Sequence, residues 1–258
     1  MKQKEVKAQP QASVEAKTST PQMDNTLKQE FQSFKAGKVI KKLAMLRLTY
    51  PCSMEGIKTA VAQTRASEFA SIGVLPTAVS QAAKLMTGAN PTVCAVISYP
   101  HGEDVLKSKI VAAKTALSQN AEELIVFGSA SPLKRGDVKA IRKEADKLKG
   151  LGKRAGFRYA LILDGLNETE KEKLFRAFKT YPQPILLVRS GGSVTAADVA
   201  QAKSFAVGCA VEAMGNYRTH TEALTVIEAG AQRVWSPFAD ELAKGLLEEF
   251  EASVSQAK

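Results

Sequence analysis

Short apolar runs alternate with amphipathic stretches along most of the chain. Eight of these runs have the length and composition of buried parallel strands, which are apolar throughout because both of their faces are covered. They read AMLRL, ASIGVL, TVCAVIS, ELIVFG, RYALIL, PILLV, VGCAVEA and RVWS. An amphipathic stretch of helical length follows each run, from SMEGIKTAVAQTR after the first to FADELAKGLLEEFEASV after the last.

This alternation predicts an α/β fold. Repeated right-handed strand–helix units close into a (β/α)8 TIM barrel of about 250 residues, and residues 43–258 have that length. The alternative is a doubly wound open sheet. That fold usually carries a glycine-rich turn after its first strand, and no such turn follows AMLRL.

The N-terminal segment does not share this pattern. Residues 1–23 are rich in Lys, Gln, Ala, Ser, Thr and Pro without apolar periodicity, so a disordered tail is predicted there. Residues 24–42 are predicted to form a helical extension, because Leu27, Phe31 and Phe34 share one helical face.

The composition bears on whether the chain has disulfides, metal or cofactor sites, or segments that enter a membrane. Three cysteines and two histidines, widely spaced, predict no disulfide and no metal site, and no cofactor motif is present. No apolar run reaches the roughly 20 residues of a membrane span, and the N-terminus lacks the apolar core of a secretory signal. A cytoplasmic protein without a membrane partner is expected.

The charge balance is strongly basic. A net charge of +10 and a pI near 9.4 favour acidic partners. Lysines alternate with acidic residues along the helices and no stripe of basic and aromatic residues is seen, so no nucleic-acid partner is expected. The densest basic cluster comprises Lys35, Lys38, Lys41 and Lys42.

Glycines follow two of the predicted strands. In TIM barrels the chemistry lies where strands run into the following loops, and backbone N–H groups of such loops can hold a phosphate. We therefore expect a residual phosphate-binding site at Ser190, Gly191, Gly192 and Gly215.

The order of several motifs matches a known family. The motifs are IGVLP (Ile72–Pro76), VCAVISYPHG (Val93–Gly102), NAEELIVF (Asn120–Phe127), ALILDGL (Ala160–Leu166), VRSGG (Val188–Gly192), VEAMGNYRT (Val211–Thr219) and EAGAQRVWS (Glu228–Ser236). With these motifs the chain resembles the deoxyribose-phosphate aldolase family from Leu43 to the end of the last helix. The resemblance implies a TIM barrel and cleavage of 2-deoxyribose 5-phosphate to glyceraldehyde 3-phosphate and acetaldehyde through a lysine Schiff base. It also implies an oligomer, since family members are often dimers.

The sequence departs from the family at the reactive positions. When the motifs are aligned, the Schiff-base lysine falls on Val188, the helper lysine on Glu212 and the fourth-strand aspartate on Ile125. None of the eight apolar runs contains a lysine. We therefore predict that no catalytic residue remains and that the protein is a pseudoenzyme.

Two functions follow from the resemblance. The first is a binding or scaffolding role, and the partner would be an actin filament or another acidic protein, because aldolases are known to bind actin. The alternative is an active aldolase that uses a lysine from a loop or a helix, such as Lys107 or Lys203. A sugar-phosphate sensor is disfavoured, because Pro237 and Phe238 replace the phosphate-facing serines of the family.

Glu212 interrupts an apolar run. A buried carboxylate is costly unless it is paired. If Met45 faces the barrel interior, Arg47 faces it as well, so the sequence predicts a structural ion pair between Arg47 and Glu212 across the barrel mouth. A general-base role for Glu212 is the alternative, and neither a nucleophile nor a metal cluster accompanies it.

Overall fold

The structure is a computed structural model that describes residues 36–49, 51–152 and 155–255, with the side chains of residues 253 and 254 excepted. The predicted tail, residues 1–23, lies outside the described residues, as does most of the predicted helical extension, residues 24–42. Residues 36–40 of that extension are helical.

Eight strands form a closed parallel barrel in the order β1 to β8, and β1 pairs with β8. The strands are β1 Leu43–Arg47, β2 Ser71–Val74, β3 Thr92–Ile97, β4 Glu123–Phe127, β5 Gly156–Ile162, β6 Ile185–Val188, β7 Val211–Met214 and β8 Val234–Ser236. The predicted (β/α)8 TIM barrel is confirmed.

Helices follow each strand on the outside of the barrel. They are α1 Met54–Ala66, α2 Val79–Met86, α3 Leu106–Ser118, α4 Ser131–Lys134, α5 Val138–Lys149, α6 Glu168–Ala177, α7 Ala196–Phe205, α8 His220–Glu228 and α9 Ala239–Ser255. Short 3-10 turns occupy Pro76–Ala78 and Gly150–Gly152. None of the helices in the described residues is long and apolar enough to cross a membrane.

Local sequence fixes where several helices begin. Asn167, Thr195 and Thr219 start α6, α7 and α8 with capping boxes, in which the cap side chain and the acidic residue three positions later exchange hydrogen bonds with each other's backbone N–H. These three caps follow β5, β6 and β7, so they hold the loops at the barrel mouth in place.

The apolar side chains form two separate cores. The larger core lies between the strands and the helices, and it includes Met45. The smaller core fills the barrel lumen, and it contains alternate residues of the strands, such as Ala44 and Leu46 of β1. The lumen core comprises Ala44, Leu46, Cys94, Val96, Ile125, Phe127, Ala160, Ile162, Leu186, Val188, Met214 and Trp235.

This alternation corrects one prediction. Ala44 and Leu46 face the lumen, and Met45 therefore faces the helices, since successive side chains of a strand point to opposite faces. Arg47 shares the face of Met45, and its guanidinium lies against Gly56 of α1. The expectation that Arg47 faces the barrel interior is wrong.

Candidate functional site

A cavity of about 220 Å³ lies at the carboxyl ends of the strands, where the loops form the barrel mouth. Parts of β1, β3, β6, β7 and β8 or the loops that follow them line it. The lining residues are Leu46, Arg47, Leu48, Thr49, Tyr99, Pro100, Val188, Arg189, Ser190, Gly192, Met214, Gly215, Asn216 and Pro237. We call this space the mouth cavity.

Among the described residues that line the mouth cavity, none carries a primary amine. Arginine is the only charged residue type among its lining residues, and it occurs as Arg47 and Arg189. None of the eight strands in the described part of the chain contains a lysine. Val188, at the position aligned with the Schiff-base lysine, is a lumen residue that is 4% exposed and lines the cavity.

Glu212 lies below the mouth cavity, inside the lumen. One oxygen of its carboxylate accepts hydrogen bonds from Arg158 Nε at 2.6 Å and from Trp235 Nε1 at 2.7 Å. Only 3% of Glu212 is exposed. The carboxylate is therefore paired within the lumen, and the partner is Arg158 rather than the predicted Arg47.

Glu123 joins the same lumen cluster. Its carboxylate accepts from Arg158 at 3.2 Å, from Arg233 at 2.9 Å and from the Ser71 hydroxyl at 2.6 Å. We refer to Ser71, Glu123, Arg158, Glu212, Arg233 and Trp235 as the lumen network. It balances two guanidiniums against two carboxylates, and the Arg158 and Arg233 guanidiniums lie 5.4 and 5.5 Å from the Trp235 ring centroid.

The charges of the lumen network stabilise one another. Burial raises the pKa of Glu123, but the Arg158 and Arg233 guanidiniums outweigh burial and lower this pKa below its ordinary value. Burial likewise opposes the charge on Arg158, and the carboxylates of Glu212 and Glu123 outweigh it, so the pKa of Arg158 is raised. Each carboxylate of the lumen network thus has a guanidinium partner within hydrogen-bond distance.

Ile125 completes the set of family positions. It is fully buried in the lumen core, on the strand between Glu123 and Phe127. An aliphatic side chain cannot transfer a proton, and one oxygen of Glu212 accepts from both Arg158 and Trp235. Of the three positions, only Val188 lines the mouth cavity, and its side chain is not a nucleophile.

The expected phosphate site is partly occupied by the protein itself. The Ser190 N–H donates to the Asp164 carboxylate at 2.7 Å, and the Gly215 N–H donates to the Trp235 carbonyl at 3.0 Å. A side chain at Gly215 would collide with Ser193, whose Cβ lies 2.6 Å from the Cβ position. Close packing against Ser193 therefore explains why a glycine occupies position 215. A phosphate-binding role for Gly191 and Gly192 stays a prediction.

The guanidinium of Arg189 is paired with a carboxylate of the protein. Its guanidinium makes two hydrogen bonds, at 2.8 and 2.7 Å, to the carboxylate of Asp198 in α7. Burial raises the pKa of Asp198, but hydrogen bonds from Arg189 and Thr195 dominate and lower it to about 2. This pair ties the β6 loop to α7.

Sequence reasoning did not identify Arg158, Arg233 or Glu123 as partners of Glu212. Each of them is the first residue of its predicted apolar run, so the apolar pattern alone does not show which face of the strand it occupies. Residues two apart in a strand point to the same face. Glu123 and Arg158 lie two residues before the lumen residues Ile125 and Ala160, so this spacing indicates that they also face the lumen.

The sequence of the chain is similar to those of several known proteins. No protein-family profile matches the chain. A protein of Trichormus variabilis named deoxyribose-phosphate aldolase is 32% identical over 173 residues, which cover 64% of this chain and 74% of that protein. A protein of the same name from Brevibacillus brevis is 29% identical over 178 residues, or 67% and 80% of the two chains.

A solved structure has a similar fold. The structure described as a unique tetrameric deoxyribose phosphate aldolase from Aeropyrum pernix superimposes with a TM-score of 0.72 at 19% identity. The match covers 89% of this chain and all of the other. At this identity the likeness establishes the shared barrel, and the tetramer is a property of that protein.

Proposed function

Since the chain belongs to the deoxyribose-phosphate aldolase family, we propose that it is a non-catalytic member of it, which has kept the barrel and lost the reactive lysine. One observation carries this proposal: the mouth cavity has no lysine among its lining residues. A Schiff base forms only from a primary amine, and the guanidinium of arginine does not replace it. Val188 supplies only an aliphatic surface at the aligned position.

The lysines named as substitutes lie elsewhere. Lys203 extends along Gly230, so that its side-chain carbons lie 3.4–3.6 Å from the position a Cβ would take there. Gly230 precedes β8, at the end of the barrel opposite the mouth. Lys107 is exposed on α3 and does not line the mouth cavity. Neither placement supports condensation with a sugar in the mouth.

Lys109 is a buried lysine that contacts the loop after β3. Its Nζ donates to the Gly102 carbonyl at 2.6 Å and pairs with Glu144 at 2.5 Å. These contacts hold the Nζ of Lys109, and Lys109 is not among the residues that line the mouth cavity. This lysine therefore ties α3 to the loop after β3 and to α5.

The second candidate is an active aldolase, and the family relationship favours it, since the curated relatives carry that name. An assay of 2-deoxyribose 5-phosphate cleavage separates the two candidates. The Trichormus variabilis relative, measured beside this protein, serves as the positive control. We expect no release of acetaldehyde or glyceraldehyde 3-phosphate above the uncatalysed background, and turnover comparable to the control would overturn the proposal.

A binding or scaffolding role then remains for the protein. The net charge of +10 supports an acidic partner. Whether this partner is an actin filament is tested by co-sedimentation across a salt series. An electrostatic complex should weaken steeply as salt is added. The cluster Lys38, Lys41 and Lys42 is exposed and is the first surface to alter, while Lys35 lies outside the described residues.

A further inference from the structure

A basic groove lies on the outside of the barrel, between α5 and α6. It has a volume of about 720 Å³. Six of its nine lining residues are basic, namely Lys139, Arg142, Lys143, Lys147, Lys173 and Arg176, and the others are Val138, Asp146 and Ala177. We refer to it as the basic groove. It shares no lining residue with the mouth cavity.

Four of these cations form no ion pair within the described part of the chain. Lys139, Lys143, Lys147 and Lys173 are exposed, and none of them takes part in an ion pair among the described residues. Asp146 does not neutralise them, because Arg142 and Lys149 hold its two carboxylate oxygens at 3.0 and 2.6 Å.

The acidic residues of α6 are engaged in the same way. Glu168 pairs with Lys171, Glu170 with Lys134 and Glu172 with Arg176. Six basic residues and one acidic residue, Asp146, line the basic groove, so its lining carries a net positive charge.

The spacing of the lysines is unfavourable for the isolated helix. Lys139, Lys143 and Lys147 follow one another at four-residue intervals, so they form a stripe along one face of α5. Like charges at this spacing destabilise a helix by roughly 0.2–0.5 kcal/mol per pair. An acidic ligand bound along the stripe would offset this repulsion.

The floor of the basic groove is apolar. Val138, Ala177 and the methylene stems of the lysines form it. Arg142 lies below the stripe, donates to the Ala177 carbonyl at 2.8 Å and covers the Tyr181 ring at 4.7 Å, which fixes α5 against α6. No aromatic ring is among the lining residues, whereas proteins that bind single-stranded nucleic acid stack bases on such rings.

We propose that the basic groove binds an acidic peptide segment whose apolar side chains enter between α5 and α6. The cations at the rim would pair with the carboxylates of the peptide, and the floor would take up its aliphatic side chains. This is the helix-in-groove mode of recognition, in which an amphipathic helix lays its apolar face into a groove. The proposal assigns the acidic partner expected from the net charge to one surface.

The test uses the full chain and a fluorescein-labelled synthetic peptide with glutamates on one helical face and leucines on the other. Binding is measured by anisotropy at low and high salt. The triple variant Lys139→Ala, Lys143→Ala, Lys147→Ala should bind about tenfold more weakly, because several exposed ion pairs of modest strength are lost together. The matched control Lys58→Ala, Lys84→Ala, Lys114→Ala removes the same charge from exposed positions of α1, α2 and α3 and should bind as the native protein does.

Two further measurements make the outcome decisive. Thermal melting should show that the α5 variant is no less stable than the control, since it loses like-charge repulsion. A peptide with serines in place of the leucines should bind more weakly to the native protein. Equal binding of the α5 variant and the native protein would overturn the proposal. So would equal binding of the serine peptide, or tighter binding of a thymidine oligonucleotide, because each would indicate a general polyanion surface.

Discussion

Arg158 and Glu212 face each other inside the barrel lumen, with the Arg158 Nε 2.6 Å from a carboxylate oxygen of Glu212. The indole N–H of Trp235 donates to the same oxygen at 2.7 Å. The seventh strand thus carries a carboxylate that the protein uses for its own structure. This relationship explains why a charged residue is retained in an apolar strand.

The lumen pair makes the first prediction. Glu212→Ala should lower the free energy of unfolding by roughly 3–5 kcal/mol, because it leaves the Arg158 guanidinium buried without its main partner. Urea unfolding followed by the fluorescence of Trp235, the one tryptophan of the chain, measures the change. The control is Glu172→Ala, which breaks the exposed pair with Arg176 and should cost about 1 kcal/mol or less. A loss below that of the control would show that the lumen pair does not stabilise the barrel.

The Arg189–Asp198 pair predicts a dependence on pH. The pKa of Asp198 is lowered to about 2 from an ordinary value of 3.8, so its folded value lies below its unfolded value. Its contribution, about 2 kcal/mol, is therefore present above pH ~4 and is lost as the pH falls toward ~2. Asp198→Asn should be less stable than the native protein at neutral pH and should approach it in acid.

The control for this pH effect is Asp137→Asn, which retains a capping side chain at the start of α5. It should follow the native acid limb. If Asp198→Asn instead ran parallel to the native protein from pH 7 to pH 2, the pair would contribute nothing through its ionisation.

Introducing an amine at position 188 tests whether this residue lies at the mouth cavity, where it could react with an aldehyde. Val188→Lys places a lysine where the sixth strand meets the mouth cavity, and burial lowers the pKa of such an amine and so favours its reactive neutral form. Borohydride reduction with acetaldehyde, followed by peptide mass mapping, should show an adduct at residue 188. The control Val207→Lys adds a lysine at an exposed position and should be labelled no more than the native surface lysines. Equal labelling of the two variants would contradict the placement of residue 188.

The contact between Asp164 and Ser190 leads to a prediction about phosphate binding at the mouth. Its carboxylate accepts from the Ser190 N–H at 2.7 Å, so it occupies a donor that an anion would need. Asp164→Ala should tighten the binding of inorganic phosphate by about fivefold, as expected when a carboxylate no longer competes for the donor. Calorimetric titration measures the affinity. The control Glu248→Ala removes an exposed charge from α9 and should leave phosphate binding unchanged.

The strands were predictable because they are buried on both faces. The run TVCAVIS corresponds to β3, Thr92–Ile97, and PILLV to β6, Ile185–Val188. The run VGCAVEA starts four residues before β7, which begins at Val211. Gly208 has φ 79° and the Cys209 N–H bonds to the Ala206 carbonyl, so the first residues of this run form a turn despite their apolar character.

The contacts within the site were less predictable, because they depend on which side chains of each strand point into the lumen. Shifting the parity of β1 by one residue moves Arg47 from the outer face to the lumen, and the apolar residues Ala44, Met45 and Leu46 give no indication of which parity holds. The partner of Glu212 comes from β5, and the stagger of a closed barrel decides which residues of β5 and β7 meet. A short sequence motif indicates neither which residues of a strand face the lumen nor how far neighbouring strands are offset along the barrel.

Reductive trapping of the native protein shows whether any of its lysines forms a Schiff base with the sugar phosphate. The protein is incubated with 2-deoxyribose 5-phosphate, reduced with borohydride and mapped by mass spectrometry, and the Trichormus variabilis relative is treated in parallel. The account predicts a stoichiometric adduct on the relative and only sparse labelling of exposed lysines on this protein. A stoichiometric adduct on one lysine of this protein, lost together with any turnover when that lysine is replaced, would contradict the account.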